Sequence, residues 1–311
     1  MIKETLYEMK SLHRDDFKIQ GYRFGSGEKT LAIVGAMRGD EVQQLYVCSQ
    51  LVAQLKAIES RGEIDPDKSV LIIPSCNPYS MNVGKRFWAM DGTDINRMFP
   101  GFDQGETTQR IAAAIFKNLE GFKYGVQLAS SYIPGDYVPH VRMLKTGYED
   151  IESARLFGFP YISLSTPAPF DTALLNYNWQ VWNTSAFSIY AGHTNHIDVD
   201  SNVFSVQAII RFMKRIGLIK KKVQNVGYDS LLVDEDNLVR VSAKRAGLFN
   251  PIFKAGEFVH VGDIIAKITD PNEGLILEEV ASPTTGYLFF SHNKPLVFQN
   301  SLIFKIISFE E

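Results

Sequence analysis

Hydrophobic and polar positions along the chain fall into two regimes. Up to about residue 220, short apolar runs alternate with helix-spaced segments; beyond it, short β-rich runs follow one another with turns between them. Alternating polar and apolar residues over 3–10 and 17–24 predict a leading antiparallel pair. Leu31 to Val34 is too short a run for a helix and reads as a buried parallel strand. Val42, Leu45, Cys48, Val52 and Leu55 recur at three- and four-residue steps, the apolar face of a helix ending near Gly62. Val70 to Pro74 is a second buried strand, and a helix over 106–120 leads to a third, Tyr124 to Leu128. The stretch SSYIPGDYVPHVRM reads as a Pro/Gly-rich loop. A helix near 148–157, strands Tyr161 to Leu164 and Ala186 to Ala191, and a helix over 201–216 complete this part. The alternation predicts an α/β fold with a mainly parallel sheet covered on both sides.

After the basic run Lys220-Lys221-Lys222 an internal repeat appears. VHVGDIIAKI (259–268) and VFQNSLIFKI (297–306) match at a constant offset of 38 residues, with Val259/Val297, Lys267/Lys305 and Ile268/Ile306 identical. Gly247 and Gly286 stand before the two halves. Two matching β-halves with glycine turns predict a small pseudo-symmetric β-sandwich. The expected division is therefore an α/β part, 1–222, and an all-β part, 225–311.

Composition narrows the setting. The 311 residues, 45% hydrophobic and 22% charged, are those of an ordinary soluble protein with ample core. A net charge of −3 gives no electrostatic case for nucleic acid or an anionic membrane. The two cysteines form no CxxC pair, and Cys48 lies on an apolar helix face, where a free cysteine is core material. The first residues carry no signal pattern and no run reaches the length of a membrane span, so a cytoplasmic setting is expected. A homo-oligomer is left open.

Chemistry concentrates in two stretches. TLAIVGAMRGDEVQQ (30–44) reads as strand, glycine turn and acidic helix start, which puts Arg38, Asp40 and Glu41 at the carboxyl edge of the sheet, where open α/β folds bind ligands. KRFWAMDGTDINRMFPG (85–101) is a long polar segment of the kind that is more often functional than idle. A guanidinium offers a carboxylate a planar fork, and a second one can steady a developing oxyanion. A purely structural alternative has Arg86 and Arg97 pairing with Asp91, Asp94 or Asp103.

Together these stretches resemble the succinylglutamate desuccinylase/aspartoacylase family, zinc amide hydrolases related to the M14 carboxypeptidases. Its first metal motif, Gly-x-His-Gly-Asp/Asn-Glu, falls on Arg38 and Glu41. Its Arg…Asp-x-Asn-Arg-x-Phe-Pro-Gly block falls on Arg86, Asn96-Arg97 and Phe99-Pro100-Gly101. The resemblance implies a zinc-peptidase-like α/β domain followed by a barrel-sandwich (lipoyl-like) module. It implies that Asn96 and Arg97 grip a substrate carboxylate while Arg86 polarises the scissile carbonyl. His140, in Pro-His-Val-Arg, is similar to a stretch of family members and is a candidate substrate-binding residue.

The metal side departs from the family. The first zinc ligand would be Arg38, which has no lone pair to donate. The third would be Ala129, in Gln127-Leu128-Ala129, and the general base would be Tyr190, a poor base at neutral pH. Only Glu41 matches in kind. No cofactor is therefore expected. The expected function is binding of a small carboxylate-bearing molecule, or regulation of a partner, without hydrolysis. One alternative is an active zinc-dependent deacylase with a remodelled site built from Glu41, His140, His193 and His196, the last two in an HxxH spacing. Another is metal-free chemistry by Arg38, Tyr190 and the arginine pair. Arg38 and Glu41, three residues apart at a helix start, are expected to pair. The β part has no lysine between Ile268 and Asn293, which excludes a lipoyl-type swinging arm and favours a packing or lid role.

Overall fold

A computed structural model describes residues 1–13 and 15–309. Strands β1 (Ile2–Met9) and β2 (Phe17–Phe24) form the expected antiparallel pair. Next come β3 (Glu28–Ala36), α1 (Val42–Ser60), β4 (Lys68–Ser75), α2 (Pro78–Asn82), α3 (Thr107–Leu119) and β5 (Tyr124–Leu128). The chain continues through β6 (Gly135–Tyr137), β7 (His140–Leu144), α4 (Ile151–Arg155), β8 (Tyr161–Ser165), α5 (Leu175–Val181), β9 (Ser185–Tyr190), α6 (Val199–Arg215) and β10 (Leu231–Asp234). Nine of these strands form one sheet in the order β1-β2-β4-β3-β5-β9-β7-β8-β10. Its centre, β4-β3-β5-β9, is parallel.

The apolar run of β3 is buried because both faces of the sheet are covered. Leu31 and Ile33 join the core under α1 and α6, where Phe157 stacks on Phe212 with ring centroids 4.0 Å apart. Ala32 and Val34 join the core under α3 and α5. There Trp179 lies so close to β5 that a Cβ on Gly125 would come within 2.7 Å of its ring. The period-2 alternation of a strand thus feeds two separate cores.

The stretch expected as one loop, SSYIPGDYVPHVRM, contains β6 and β7. Pro134 and Pro139 sit just outside the two strands, as strand prolines must, and their punctuation masked a short buried strand, HVRML. Strand β7 runs antiparallel to β9 and parallel to β8. The helix near 148–157 is shorter, Ile151–Arg155, and α5 was not foreseen.

The C-terminal part adds β11 (Val239–Ser242), β12 (Gly247–Pro251), β13 (Phe258–Val259), β14 (Ile264–Thr269), β15 (Ile276–Ala281), β16 (Gly286–His292), β17 (Leu296–Val297) and β18 (Leu302–Ser308). They form two antiparallel sheets about a shared core that includes Val259, Ile268, Val297 and Ile306. The sequence repeat maps onto structure: β13 and β14 in the first half correspond to β17 and β18 in the second.

The expected boundary between 222 and 225 does not follow the sheets. Strand β10 pairs in parallel with β8 in the large sheet, whereas β6 from the α/β part pairs with β16 of the C-terminal sheet. The two parts exchange a strand each, a long-range choice that local periodicity does not encode. The last two residues of the expected 225–311 part lie outside the described residues.

Candidate functional site

The turn after β3 carries the first cluster. Glu41, the residue preceding α1, does not cap that helix; its carboxylate folds back onto the turn. Oε2 accepts from the backbone N–H of Met37 (2.7 Å) and Arg38 (2.9 Å), and Oε1 accepts from Ser130 Oγ (2.5 Å). Arg38 Nη1 reaches the same Oε1 at 3.2 Å. The other edge of the guanidinium meets Asp94, Nε within 3.1 Å and Nη2 within 2.8 Å of Oδ2. All three side chains are buried. Burial disfavours the charge on Arg38, but Glu41 and Asp94 more than offset it and its pKa is raised. The expected Arg38–Glu41 pair is present; its second carboxylate, Asp94, was missed, although Asp94 lies in the family block.

Gly39 lets the neighbouring segment close in. A Cβ there would meet the Lys85 carbonyl at 2.3 Å, and its N–H donates to the Arg86 carbonyl (2.9 Å). The close approach sets Arg86 beside the turn, where its Nη1 pairs with Asp40 (2.7 Å) and its Nη2 donates to the Ser131 carbonyl (2.9 Å). These partners differ from the aspartates weighed from the sequence.

A cavity of about 360 Å³ opens at the carboxyl ends of β3, β5 and β9. On one wall stand Asn96 and Arg97, in a single 3₁₀ turn that Asp94 caps. Asn96 is held by Gln127, whose Nε2 donates to its Oδ1 at 3.2 Å. Arg97 lies between the rings of Tyr132 and Phe170, 5.0 and 4.9 Å from their centroids, and only 3.8 Å from Asp94, a loose contact. Its Nη1 donates to the Phe170 carbonyl (3.2 Å), and with stacking this steers the guanidinium while leaving Nη2 for an anion. Arg38, Ala129 and Ser130 form the floor. Arg86 is not among the lining residues, so the expected convergence of Arg86, Asn96 and Arg97 on one cleft holds for the last two.

Another wall joins β7 and β9 to the C-terminal sheets. His140 and Tyr190 are register partners, their rings stacked at 5.0 Å and 3°. His140 Nδ1 lies 2.8 Å from the Val138 carbonyl, and Nε2 has no partner. Burial holds the imidazole neutral, its pKa pushed down to about 4. Tyr190 is hydrogen-bonded to Arg142. Beside them Glu235 pairs with Arg142 (2.7 Å) and Lys305 (3.1 Å) and accepts from Ser163 (3.0 Å). Burial alone would raise the Glu235 pKa; Arg142 and Lys305 overcome it and hold the carboxyl at about 2. Arg142, Glu235, Arg240 and Lys305 were all missed. The one signal available was Lys305, an identical position in the repeat.

Where the resemblance implies metal ligands, the Arg38 guanidinium abuts Glu41 and the third position is Ala129; among the described residues no three His, Cys, Asp or Glu lie together as a group that could hold a metal. The alternative set of Glu41, His140, His193 and His196 is not assembled. His193 pairs with Asp136 (2.8 Å) and its ring lies 3.9 Å from that of His196, but neither histidine lines the cavity. Cys48 and Cys76 are free and buried, and burial pushes both thiols up.

Fold and site define an α/β protein with a basic, small-molecule-sized cavity at the carboxyl edge of its sheet. The family model for the succinylglutamate desuccinylase/aspartoacylase catalytic domain matches residues 27–131. A curated relative, the N-alpha-acetyl-L-2,4-diaminobutyric acid deacetylase of Halomonas elongata, is 27% identical over 252 residues, covering 78% of this chain and 70% of the relative. Among solved structures, a succinylglutamate desuccinylase from Silicibacter sp. TM1040 superposes with a TM-score of 0.80 at 18% identity, covering 98% of this chain and 93% of that one. The product-bound ectoine utilization protein EutE (DoeB) of Ruegeria pomeroyi gives 0.78 at 19% identity, covering 94% and 89%. These structural likenesses concern the fold. The family model and the curated relative both support the succinylglutamate desuccinylase/aspartoacylase family.

Proposed function

We propose that this protein binds a small carboxylate-bearing molecule in the cavity and does not perform zinc-dependent hydrolysis. One observation carries the reading: the guanidinium of Arg38 sits between Glu41 and Asp94, two buried carboxylates with which it pairs. An arginine replaces a metal's charge without its chemistry, since it cannot lower the pKa of a bound water. Arg97 and Asn96 would take the carboxylate, Arg97 through the guanidinium edge not bonded to the Phe170 carbonyl and Asn96 through the amide that Gln127 orients. Arg86, tied to Asp40 and Ser131, would position the turn rather than touch the ligand. The C-terminal sheets are read as a lipoyl-type barrel-sandwich that walls the cavity, and the setting as cytoplasmic; among the described residues no helix is long and apolar enough to cross a membrane.

The test pairs elemental analysis of purified protein with calorimetry against N-acyl aspartate, N-acyl glutamate and plain dicarboxylates. Binding by wild type, its loss in Arg97→Ala and the absence of stoichiometric zinc are expected. Equal binding by both proteins, or none by either, would overturn the assignment. A second reading is favoured by the deacetylase activity named for the Halomonas elongata relative: a metal-dependent deacylase with a remodelled site. One tightly bound zinc per chain, with deacylation lost on chelation, would establish that reading instead.

A further inference from the structure

The four-stranded sheet of the C-terminal part, β15-β14-β12-β17, turns an apolar row to solvent where an antiparallel sheet normally alternates to polar. Phe249, Ile268, Val280 and Val297 belong to the core shared with the other sheet, so their alternate neighbours stand on the outer face. Leu296 on β17, Leu248 on β12, Thr269 on β14 and Ile276 on β15 are successive ladder partners, one row across all four strands. Leu296 is 61% exposed, Ile276 53%, and Phe298, just past β17, 78%. A contiguous exposed apolar surface with a polar rim marks an interaction site. The C-terminal residues that line the cavity, Arg240 and Lys305, lie on the other sheet, so this face is a separate surface.

The polar rim gives the face a direction. In the adjacent row Asn250 on β12 partners Lys267 on β14, and Lys267 partners Glu279 on β15, with a 3.2 Å ion pair between the last two. Lys294, exposed and two residues before Leu296, continues that row at its β17 end. The row therefore starts on a cation and ends on an anion. The edge of the sheet is a poorer contact than its face. Strand β15 is irregular where its register shifts between Ile268 and Thr269, and a bulged edge resists pairing with a further strand.

We propose that this face is an interface between two copies of the chain, packed sheet against sheet about a two-fold axis that runs parallel to the strands, between β12 and β14. Such an axis sets β17 of one copy over β15 of the other. Leu296 then meets the partner's Ile276, Leu248 the partner's Thr269, and Lys294 the partner's Glu279, each contact occurring twice. The order of charges selects a second copy as the occupant: the two-fold operation reverses that order and sets unlike charges together at both ends. Aligned packing of two sheets is a standard arrangement, and a two-fold contact closes on itself without leading to a filament. The interface is independent of what the cavity binds.

Analytical ultracentrifugation of the full chain at tens of micromolar tests it. Wild type should sediment at twice the mass of the 35.0 kDa polypeptide. Leu296→Glu and, separately, Ile276→Glu should each raise the dimer dissociation constant at least about a hundredfold, because a charge then enters the apolar row. Both positions are exposed within one chain, so melting of the monomer should still be cooperative in each variant. Lys294→Glu should weaken the dimer about tenfold, since two-fold symmetry sets two like-charged pairs at once, and adding Glu279→Lys should restore most of the loss. A monomeric wild type, or a dimer that neither Leu296→Glu nor Ile276→Glu weakens, would overturn the interface. A dimer weakened by those two variants and indifferent to Lys294→Glu would overturn the two-fold arrangement.

Discussion

Arg38 and Glu41, three residues apart, form a buried ion pair at 3.2 Å across the turn that leads from β3 into α1. The pair is a local consequence of the turn: two backbone N–H groups of that turn already hold the carboxylate, so the guanidinium three residues back meets it without a long reach. Asp94 closes the other side and makes the group a triad.

Arg38→Ala should therefore be strongly destabilising, because it leaves Glu41 and Asp94 buried without their cation. Breaking such a group costs on the order of 3–5 kcal/mol. Urea unfolding should show a clearly lowered midpoint, and Arg38→Met combined with Glu41→Gln and Asp94→Asn should recover much of the loss. A wild-type midpoint for Arg38→Ala would mean that the triad carries no such weight.

Arg97→Ala should separate binding from folding. Its contact with Asp94 is loose and its guanidinium is partly open, so stability should change by less than about 1 kcal/mol, the scale of a weak ion pair. Affinity for a carboxylate should fall at least about tenfold, the loss expected for one charged hydrogen-bonding partner. A parallel loss of stability and binding would assign Arg97 a structural role.

Stability should fall on acidification in two windows. The His140 imidazole is pushed down to about 4 from an ordinary 6.5, so the unfolded chain binds the extra proton first. The resulting stability is present above pH 6.5 and is lost as pH falls toward 4, at most on the order of 3 kcal/mol. Glu235, lowered to about 2 from 4.5, contributes stability above 4.5 that is lost as pH falls toward 2. Thermal melts of wild type and His140→Gln across this range check the assignment: the variant should lose the upper window and keep the lower. An unchanged upper window would remove His140 as its source.

The exchange of β6 and β10 between the two parts makes separate expression a test of the fold. Residues 1–222 alone lose the partner of β6 and the whole β10 edge, so that fragment should be aggregated or rapidly cleaved under limited proteolysis. A monomeric, protease-resistant fragment would show that the exchange is dispensable. Intact mass of the full chain should equal the 35.0 kDa polypeptide, with no lipoyl or biotinyl addition.

Much of the layout is readable directly in residue order. A short apolar run bounded by glycine is a buried strand wherever it lies, and the expected β3, β4, β5, β8 and β9 are all present within a few residues of their sequence limits. The 38-residue repeat likewise announces equivalent strands, since each half must bury the same alternate positions. Strands β6 and β7 escaped because Pro134 and Pro139 flank segments of three and five residues, too short for a period to register.

By itself the sequence determined most of the elements, the block around Asn96-Arg97 that resembles the family's, and the Arg38–Glu41 pair, because each depends on residues within a few positions of one another. Only the tertiary structure decided that Asp94 completes the pair, that Arg86 turns to Asp40, and that Glu235, Arg240 and Lys305 wall the same cavity as His140. It also decided which sheet β6 and β10 would join. The physical reason is the range of the interaction. Side-chain period and turn chemistry act over a few residues, whereas an ion pair between positions 142 and 235, or a strand lent to another sheet, forms only when packing brings distant segments together.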